Sequence, residues 1–486
     1  MPYKIAEVNA LFVQNKPNIT IHNISLLPQS GSDRRYYRIT ADDGNYIATY
    51  GNNVKENESF IYFAQHFANQ GLSVPKVLYV NNLKICYIQT DLGNTTLLNY
   101  LETEGYQPHV YNKFKQALQQ LAQLQINGHK NLDYTKCLTN AEFGKQAIMA
   151  DLLYFKYYFL DALKNPYNKQ ALLDDFEALS NNLTRTEYKF FMFRDFQSRN
   201  IMLPNNNEIK FIDFQGGMLG APQYDVASLL WQAKANLPNQ WKHDLLNDYI
   251  AEFEKLIGQP VDVNIFKNQY NGYVLIRLLQ VMGAYGFRGL FERKAHFLSS
   301  IPLGLQNLKY FLENLNIGIL VPELKKALAF ITSPQIVQQF TPILANSNTP
   351  LHVTVQSFSY KKGLPTDASG NGGGFIFDCR GITNPGRIND YKHLSGQDAE
   401  VINYLEQQTR MPNFLNSVFD IIDINVEDYI ARGFNSLQIN FGCTGGQHRS
   451  VYSAEQTARH LRNKYKLNVA LHHNNQQNWV TTPVQQ

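Results

Sequence analysis

Asp195, Asn200 and Asp213 are the residues of this chain best suited to chemistry. They stand in the run Phe193-Arg194-Asp195-Phe196-Gln197-Ser198-Arg199-Asn200 and in the following Ile212-Asp213-Phe214. Phosphoryl transfer from a metal-bound nucleotide needs an acid, an amide and a second acid in this order. One carboxylate orients or deprotonates the attacking hydroxyl, while the amide and the other carboxylate hold Mg²⁺ against the phosphates. Asp195 suits the first role, and Asn200 and Asp213 suit the metal.

These groups need elements that bring them together. Lys189 to Phe193 is a short apolar run that predicts a strand feeding the loop. Ile201-Met202-Leu203 and Ile209 to Ile212 flank Pro204-Asn205-Asn206-Asn207, a turn-rich hairpin tip. A hairpin would return Asp213 to Asn200 at its open end. A D-x-x-x-x-N spacing alone would be an ordinary surface loop, so the flanking strands carry the kinase reading.

The chain has 486 residues, enough for two or three domains, and its 44% hydrophobic content supports sizeable cores. A net charge of +4 gives no reason to expect a nucleic-acid or membrane partner. Cys86, Cys137, Cys379 and Cys443 form no CxxC pair or zinc spacing, which suits a reducing compartment. The opening residues do not read as a basic-then-apolar signal. Val274 to Phe291 is apolar but contains Arg277, Arg288 and three glycines, and predicts a buried helix rather than a membrane span. The expectation is a soluble cytoplasmic protein.

Composition predicts a first domain over 1–333, a linker over 334–349, a second domain over 350–475 and a frayed tail over 476–486. Within the first, short apolar runs predict strands at Tyr36 to Ile39, Tyr46 to Tyr50, Val77 to Val80 and Ile85 to Gln89. Phe60, Phe63, Ala64 and Phe67 recur at helical spacing. Thr95 to Leu183 is mostly helical. A small β-rich lobe, a hinge and a larger helical lobe make an α+β bilobal protein-kinase-like fold, with a separate α/β domain after it.

Two weaker signals fit that plan. Gly31-Ser32-Asp33 precedes the strand Arg35 to Ile39 and could present backbone N–H groups to phosphates, although an ordinary loop reads the same way. Asp91-Leu92-Gly93 follows a strand at the lobe boundary, where backbone would meet a purine, or is a plain turn.

Residues 1 to about 333 resemble the aminoglycoside phosphotransferase-like kinases, and among them the anomeric kinases of N-acetylmuramate and N-acetylglucosamine in cell-wall recycling. The carriers are Gly31 to Arg38, Asp91-Leu92-Gly93, Arg194 to Asn200, Ile212 to Gly216 and Gly220 to Leu230. The resemblance implies ATP and Mg²⁺, an amino-sugar acceptor, and Asp225 as the acid bracing the catalytic loop. Phe193 stands where the superfamily usually has a histidine. Tyr46 to Tyr50 lacks the usual phosphate-pairing lysine, as the resembled branch also tends to. Arg35 or Arg38 could supply that cation, or either could be a solvated strand residue. Glu58 is then without its usual partner and carries no assignment.

In the second domain, Ser436 to Phe441 predicts a strand and Val451, Ala454, Ala458 and Leu461 one face of a helix. Gly442-Cys443-Thr444-Gly445-Gly446-Gln447-His448-Arg449-Ser450 joins them. Such a turn aims N–H groups and a positive helix end at an anion, and Arg449 and His448 could add donors. Cys443 and Arg449 also have the C-x₅-R spacing of a cysteine phosphatase, but no general acid stands out. The Walker lysine is absent. Residues 350 to about 475 resemble the C-terminal domain of RapZ, the RNase adaptor protein. The carriers are Val355 to Phe358, Lys361 to Pro365, Phe377 to Arg380, Asn384-Pro385 and Gly442 to Ser450. The resemblance implies a sensor of a phosphorylated amino sugar. Arg380, and His472 and His473 at a strand end, could complete the pocket. The histidines could equally be a solvated strand terminus, and Asp378 a buried partner of Arg380.

The joint expectation is an ATP-dependent amino-sugar kinase carrying a sugar-phosphate sensor. The alternatives are a phosphotransferase for an aminoglycoside or a choline-like alcohol, and a nucleotide-binding regulator without catalysis.

Overall fold

A computed structural model describes residues 2–27, 34–164, 166–204, 208–292, 295–341, 343–367, 369–370 and 373–480. The chain divides into two compact units between Val337 and Gln338.

The first unit opens with α1 (Pro2–Asn15) and a five-stranded antiparallel sheet. Its strands are β1 (Ile21–Leu26), β2 (Arg35–Ala41), β3 (Gly44–Tyr50), β4 (Val77–Val80) and β5 (Cys86–Thr90), in the order β1-β2-β3-β5-β4, with α2 (Val54–Asn69) between β3 and β4. Alternation sorts the sheet's two faces. Tyr37, Ile39 and Ala48 pack with Val8, Leu11 and Phe12 of α1, while Tyr36, Arg38 and Ile47 turn to a cleft. In α2, Phe60, Phe63, Ala64 and Phe67 are buried, and Asn53 caps the helix by accepting the Glu56 N–H.

The helical lobe begins with α3 (Leu97–Glu104), α4 (Pro108–His129), α5 (Lys145–Phe155) and α6 (Lys169–Leu183). Two small antiparallel pairs follow. β6 (Phe190–Met192) joins β9 (Met218–Gly220), and β7 (Ile201–Met202) joins β8 (Lys210–Phe211). The tip at 205–207 lies outside the described residues. Next come α7 (Gln223–Leu230), α8 (Asn239–Ile257), α9 (Val263–Tyr285), α10 (Ala295–Leu298), α11 (Ile301–Asn314), α12 (Pro322–Ile331) and α13 (Pro334–Phe340).

By length and composition, α9 with the π-turn Gly286–Phe291 could cross a membrane. Here its Val274, Ile276 and Leu279 are wholly buried. Gly286 lies so close to Tyr158 that an added Cβ would meet the Tyr158 carbonyl oxygen at 2.2 Å, so this crossing of α9 over the turn Lys156–Leu160 requires glycine.

The second unit is a parallel sheet of β10 (His352–Ser359), β11 (Phe375–Asp378), β12 (Ser436–Cys443) and β13 (Asn468–His473), ordered β11-β12-β10-β13. The helices are α14 (Ala399–Gln408), α15 (Met411–Arg432) and α16 (Arg449–Tyr465). Val451, Ala454, Ala458 and Leu461 of α16 are all fully buried.

Two boundaries differ from the sequence reading. The expected linker 334–349 begins as α13, because Pro334 stands at a helix start and Ser333 O accepts the Ile336 and Val337 N–H groups. Ala345 N–H then bonds Tyr465 O, tying this stretch to the second unit. The tail is ordered to Val480, since Trp479 Nε1 donates to Gly446 O at 2.9 Å and Val480 N–H to Gln447 Oε1 at 3.0 Å. Residues 481–486 lie outside the described residues.

Candidate functional site

The loop that carries Asp195 is held from beneath by a buried carboxylate. Asp225, in the first turn of α7, accepts the Phe193 N–H at 2.7 Å, the Arg194 N–H at 2.9 Å and Gln125 Nε2 at 2.9 Å. Burial pushes this carboxyl up to about 7, and the backbone N–H groups and Gln125 work against that. All three neighbours donate, which suits an acceptor-only carboxylate. Arg194 takes a positive φ of 81° and is fixed by Asp151 at 2.8 Å and the Tyr224 hydroxyl at 2.9 Å. These anchors leave Asp195 open, its side chain 49% exposed and 3.7 Å from the guanidinium of Arg277.

Phe193, where the resembled kinases have histidine, sits in an aromatic cluster with Phe196, Phe211 and Phe214 at ring separations of 5.3, 6.2 and 6.1 Å. Packing here replaces the hydrogen bond. Phe214 also stacks on Phe60 of α2 at 4.8 Å, linking the small lobe to the Ile212-Asp213-Phe214 segment.

The short hairpin of β7 and β8 brings Asn200 and Asp213 together. Ile212 N–H donates to Asn200 O at 3.0 Å, and Asn200 Nδ2 lies 3.5 Å from Asp213 Oδ2. Asp213 has a positive φ of 72°, a strained conformation that functional loops retain when their surroundings fix it. Amide and carboxylate oxygens at one cleft edge suit Mg²⁺, which takes few protein ligands and completes its shell with phosphate and water. When bound, such an ion would neutralise charge on the transferred group.

A cleft of about 220 Å³ opens above these residues, lined by Tyr36, Ile47, Phe60, Tyr87, Asp91, Gly93, Asn200 and Asp213, among others. Its apolar walls suit a purine and its far edge suits phosphates.

Three of the sequence assignments at this cleft change. Arg35 shares the β2 face of Tyr37, away from the cleft. Arg38 lines the cleft but is bound bidentately to Asp91, with Nε at 2.6 Å and Nη2 at 3.0 Å, and also meets Gly93 O at 3.1 Å. Asp91 also accepts the Gly93 N–H at 2.8 Å, so the lobe boundary is a fastened turn. Gly31, Ser32 and Asp33 lie outside the described residues.

The residue that sequence reading missed is Arg34. It is 3% exposed, with Nε 3.1 Å from Glu56 of α2 and Nη2 3.0 Å from Asp213. Burial opposes its charge, but Tyr36, Tyr87, Asp213 and Glu56 outweigh that and raise its pKa. The doublet Arg34-Arg35 held the signal, since strand alternation allows only one of the two to face the cleft. Glu58, two residues further along α2, pairs with exposed Lys84 at 2.5 Å instead.

The second unit's loop departs further from expectation. Arg449 is 4% exposed, and its Nη1 donates to the carbonyls of Arg380 at 3.0 Å and Ile382 at 2.6 Å. It braces a neighbouring turn, because buried carbonyls need donors. His448 Nε2 meets Tyr391 O at 2.8 Å, and burial lowers its pKa. Cys443 is buried, accepting the Gly446 N–H at 3.2 Å and contacting Ser450 Oγ at 3.1 Å. The sequence assigned anion contacts to Cys443, His448, Arg449 and Ser450; in the structure each also bonds within the fold, while Arg449 Nε is buried without a partner among the described residues. His473 is likewise engaged, by Ser357 Oγ at 2.8 Å and Glu455 at 3.3 Å.

What remains open is the segment Thr444-Gly445, both exposed, with Thr444 O held by Ser359 Oγ at 2.7 Å. Arg380 is exposed too, not buried with Asp378. It is gripped by Asp378 at 2.7 Å and stacked 3.8 Å from the Tyr360 ring centroid. Asp378 is pulled down chiefly by its Arg380 hydrogen bond.

Residues 23–258 match the phosphotransferase enzyme family, and residues 351–477 match the RapZ C-terminal domain. A curated relative from Endomicrobium trichonymphae, called a nucleotide-binding protein, is 36% identical over 139 residues, 29% of this chain and 46% of its own length. The chain spans about half the length of the curated relatives it matches. Among solved structures, a choline kinase from Streptococcus pneumoniae aligns with a TM-score of 0.42 at 12% identity, covering 64% of this chain and 99% of that one. An aminoglycoside phosphotransferase aligns at 0.39 and 16% identity, covering 62% and 99%.

Proposed function

We propose, from a chain that joins a phosphotransferase-family domain to a RapZ C-terminal domain, that the first unit is a cytoplasmic ATP- and Mg²⁺-dependent kinase of an N-acetylated amino sugar. The acceptor is N-acetylmuramate or N-acetylglucosamine, and the hydroxyl is the anomeric one. Asp195 accepts the proton of the attacking hydroxyl. Asn200 and Asp213 would hold the metal, and the cleft takes the nucleotide.

The observation that carries the acceptor class is Arg277. A guanidinium 4% exposed and 3.7 Å from Asp195 places positive charge beside the acceptor position. Arg199 adds to the positive surroundings of the neighbouring Tyr285. Because Arg277 offsets the Asp195 carboxylate, a cationic alcohol or an aminoglycoside gains little attraction there, whereas a neutral or carboxylate-bearing sugar is not disfavoured. The two resemblances also agree on amino-sugar chemistry.

In the second unit, the reading is a phosphorylated amino sugar held without turnover at Thr444-Gly445 and Arg380. Burial of Cys443 within its own hydrogen bonds supports binding over thiolate chemistry.

A coupled ADP-release screen of free sugars, with phosphorus NMR of the product, tests the kinase reading. The expected product is an acid-labile sugar 1-phosphate whose phosphorus couples to the anomeric proton. Transfer only to O6, or only to an aminoglycoside or choline, overturns it.

A further inference from the structure

The first unit contains a buried cation that neither the catalytic triad of Asp195, Asn200 and Asp213 nor the metal pair accounts for. β3 has no lysine. Thr49, which pairs with Tyr36 on the cleft side, is short and neutral where such a side chain would stand. Arg34 enters from the neighbouring strand. Its stem runs beside Gly51, where an added Cβ would lie 3.0 Å from Arg34 Cγ, so the strand end is shaped to let the arginine pass. Its guanidinium lines the nucleotide cleft and spans from Glu56 on α2 to Asp213 at the metal position.

We infer that Arg34 is the phosphate-binding cation of the nucleotide site, anchored by Glu56 and shared between Asp213 and the nucleotide's phosphates. This rests on the kinase reading and adds a residue to it. A guanidinium has five donors in a planar fork, so it can keep Glu56 while presenting other N–H groups to phosphate oxygens. Before nucleotide arrives, Arg34 neutralises Asp213. With a metal and nucleotide bound, Asp213 would serve the metal, and the Arg34 N–H groups that now meet Asp213 would meet phosphate oxygens. The same contact ties α2 to Asp213, so nucleotide binding and small-lobe order are coupled. A purely structural clamp between β2 and α2 would not distinguish a ligand with phosphates from one without.

Calorimetry on the full chain, with ATP, ADP and adenosine as ligands, in EDTA and in MgCl₂, tests this. Arg34→Met is expected to weaken ATP and ADP about 10–100-fold in both conditions and adenosine less than about 2-fold. Arg34→Lys, which keeps the charge and loses the fork, should lose about 3–10-fold for ATP. Glu56→Gln, with arginine retained but unanchored, should fall in the same range as the lysine variant. Equal losses for adenosine and ATP, or no loss for either, would reduce Arg34 to a clamp and overturn the assignment. If Arg34→Met does not fold, the lysine and Glu56 variants decide by the same ATP-to-adenosine ratio. Wild-type protein that binds no ATP overturns the kinase reading itself, whereas intact ATP binding in Arg34→Met overturns only the Arg34 role.

Discussion

The Asp195 loop of the first unit and the glycine-rich loop of the second both follow a strand and carry the residues that drew attention in the sequence. They use those residues in opposite ways. Asp195 and Asp213 have side chains 49% and 37% exposed, because separate groups, the buried Asp225 and the half-buried Arg194, hold the Asp195 loop. In the second unit Arg449 and His448 are themselves the buried holders, donating or turning to carbonyls at 380, 382 and 391. A functional residue and its support are often the same residue types, and exposure separates them. A charged group bonded to the protein's own backbone carbonyls supports the fold with those bonds, whatever its remaining donors can do.

The widest gap between the loops should appear in catalysis. Asp195→Asn should lower phosphoryl transfer by about 10²–10⁴-fold while leaving ADP affinity within about 2-fold, because an amide keeps the shape but cannot take the proton. Steady-state ADP release together with calorimetry measures both. Wild-type turnover in this variant would remove Asp195 from the mechanism.

Removing a support from each loop compares them directly. Asp225→Ala leaves the Phe193 and Arg194 N–H groups without their acceptor, and Arg449→Ala leaves the carbonyls at 380 and 382 without their donor. Each should destabilise its own unit by about 2–4 kcal/mol, read from denaturant midpoints. Asp225→Ala should also abolish transfer, and Arg449→Ala should leave the kinase rate of the full chain unchanged. If Arg449→Ala kept full stability and lost only sugar-phosphate affinity, the side chain would be a ligand contact after all.

Arg380→Ala sharpens the same contrast at smaller scale. This exposed residue should leave stability nearly unchanged. Its loss should weaken glucosamine 6-phosphate binding roughly 10-fold, as expected for one charge-assisted contact. Titration calorimetry beside a melting curve separates the two effects, and unchanged binding would remove Arg380 from the anion site.

The smallest effect concerns a buried lysine outside both loops. Burial lowers the Lys242 pKa from 10.5 to about 8, and its ammonium lies 4.3 Å from the Trp231 ring centroid. Between those values the unfolded chain holds a proton that the folded chain has released. Stability therefore rises as pH climbs from about 8 to 10.5, and that gain is lost as pH falls back from 10.5 to about 8. Lys242→Met should flatten the rise, a change on the order of 1 kcal/mol. Denaturant midpoints at several pH values, followed by tryptophan fluorescence, report it; an unchanged pH profile would place the cause elsewhere.

Local pattern determined much of this molecule. The spacing of Phe60, Phe63, Ala64 and Phe67 announced α2, the turn-rich Pro204 to Asn207 announced the pairing of β7 with β8, and Cys443 to Ser450 announced a strand-turn-helix. These signals are legible because periodicity and turn chemistry act over a few residues. By contrast, α1 gave too weak a pattern to be read, and its Val8, Leu11 and Phe12 matter only against the sheet. Tertiary structure alone decided which arginine of the Arg34-Arg35 pair faces the cleft, and that Glu56 rather than Glu58 meets it. It also decided that Arg38 is bound to Asp91 and that Arg449 turns inward. Each of these joins residues far apart in the chain, Arg34 to Asp213 and Arg449 to Arg380 among them. The energy of a charge depends on its burial and its partners, and neither is written in the neighbouring sequence.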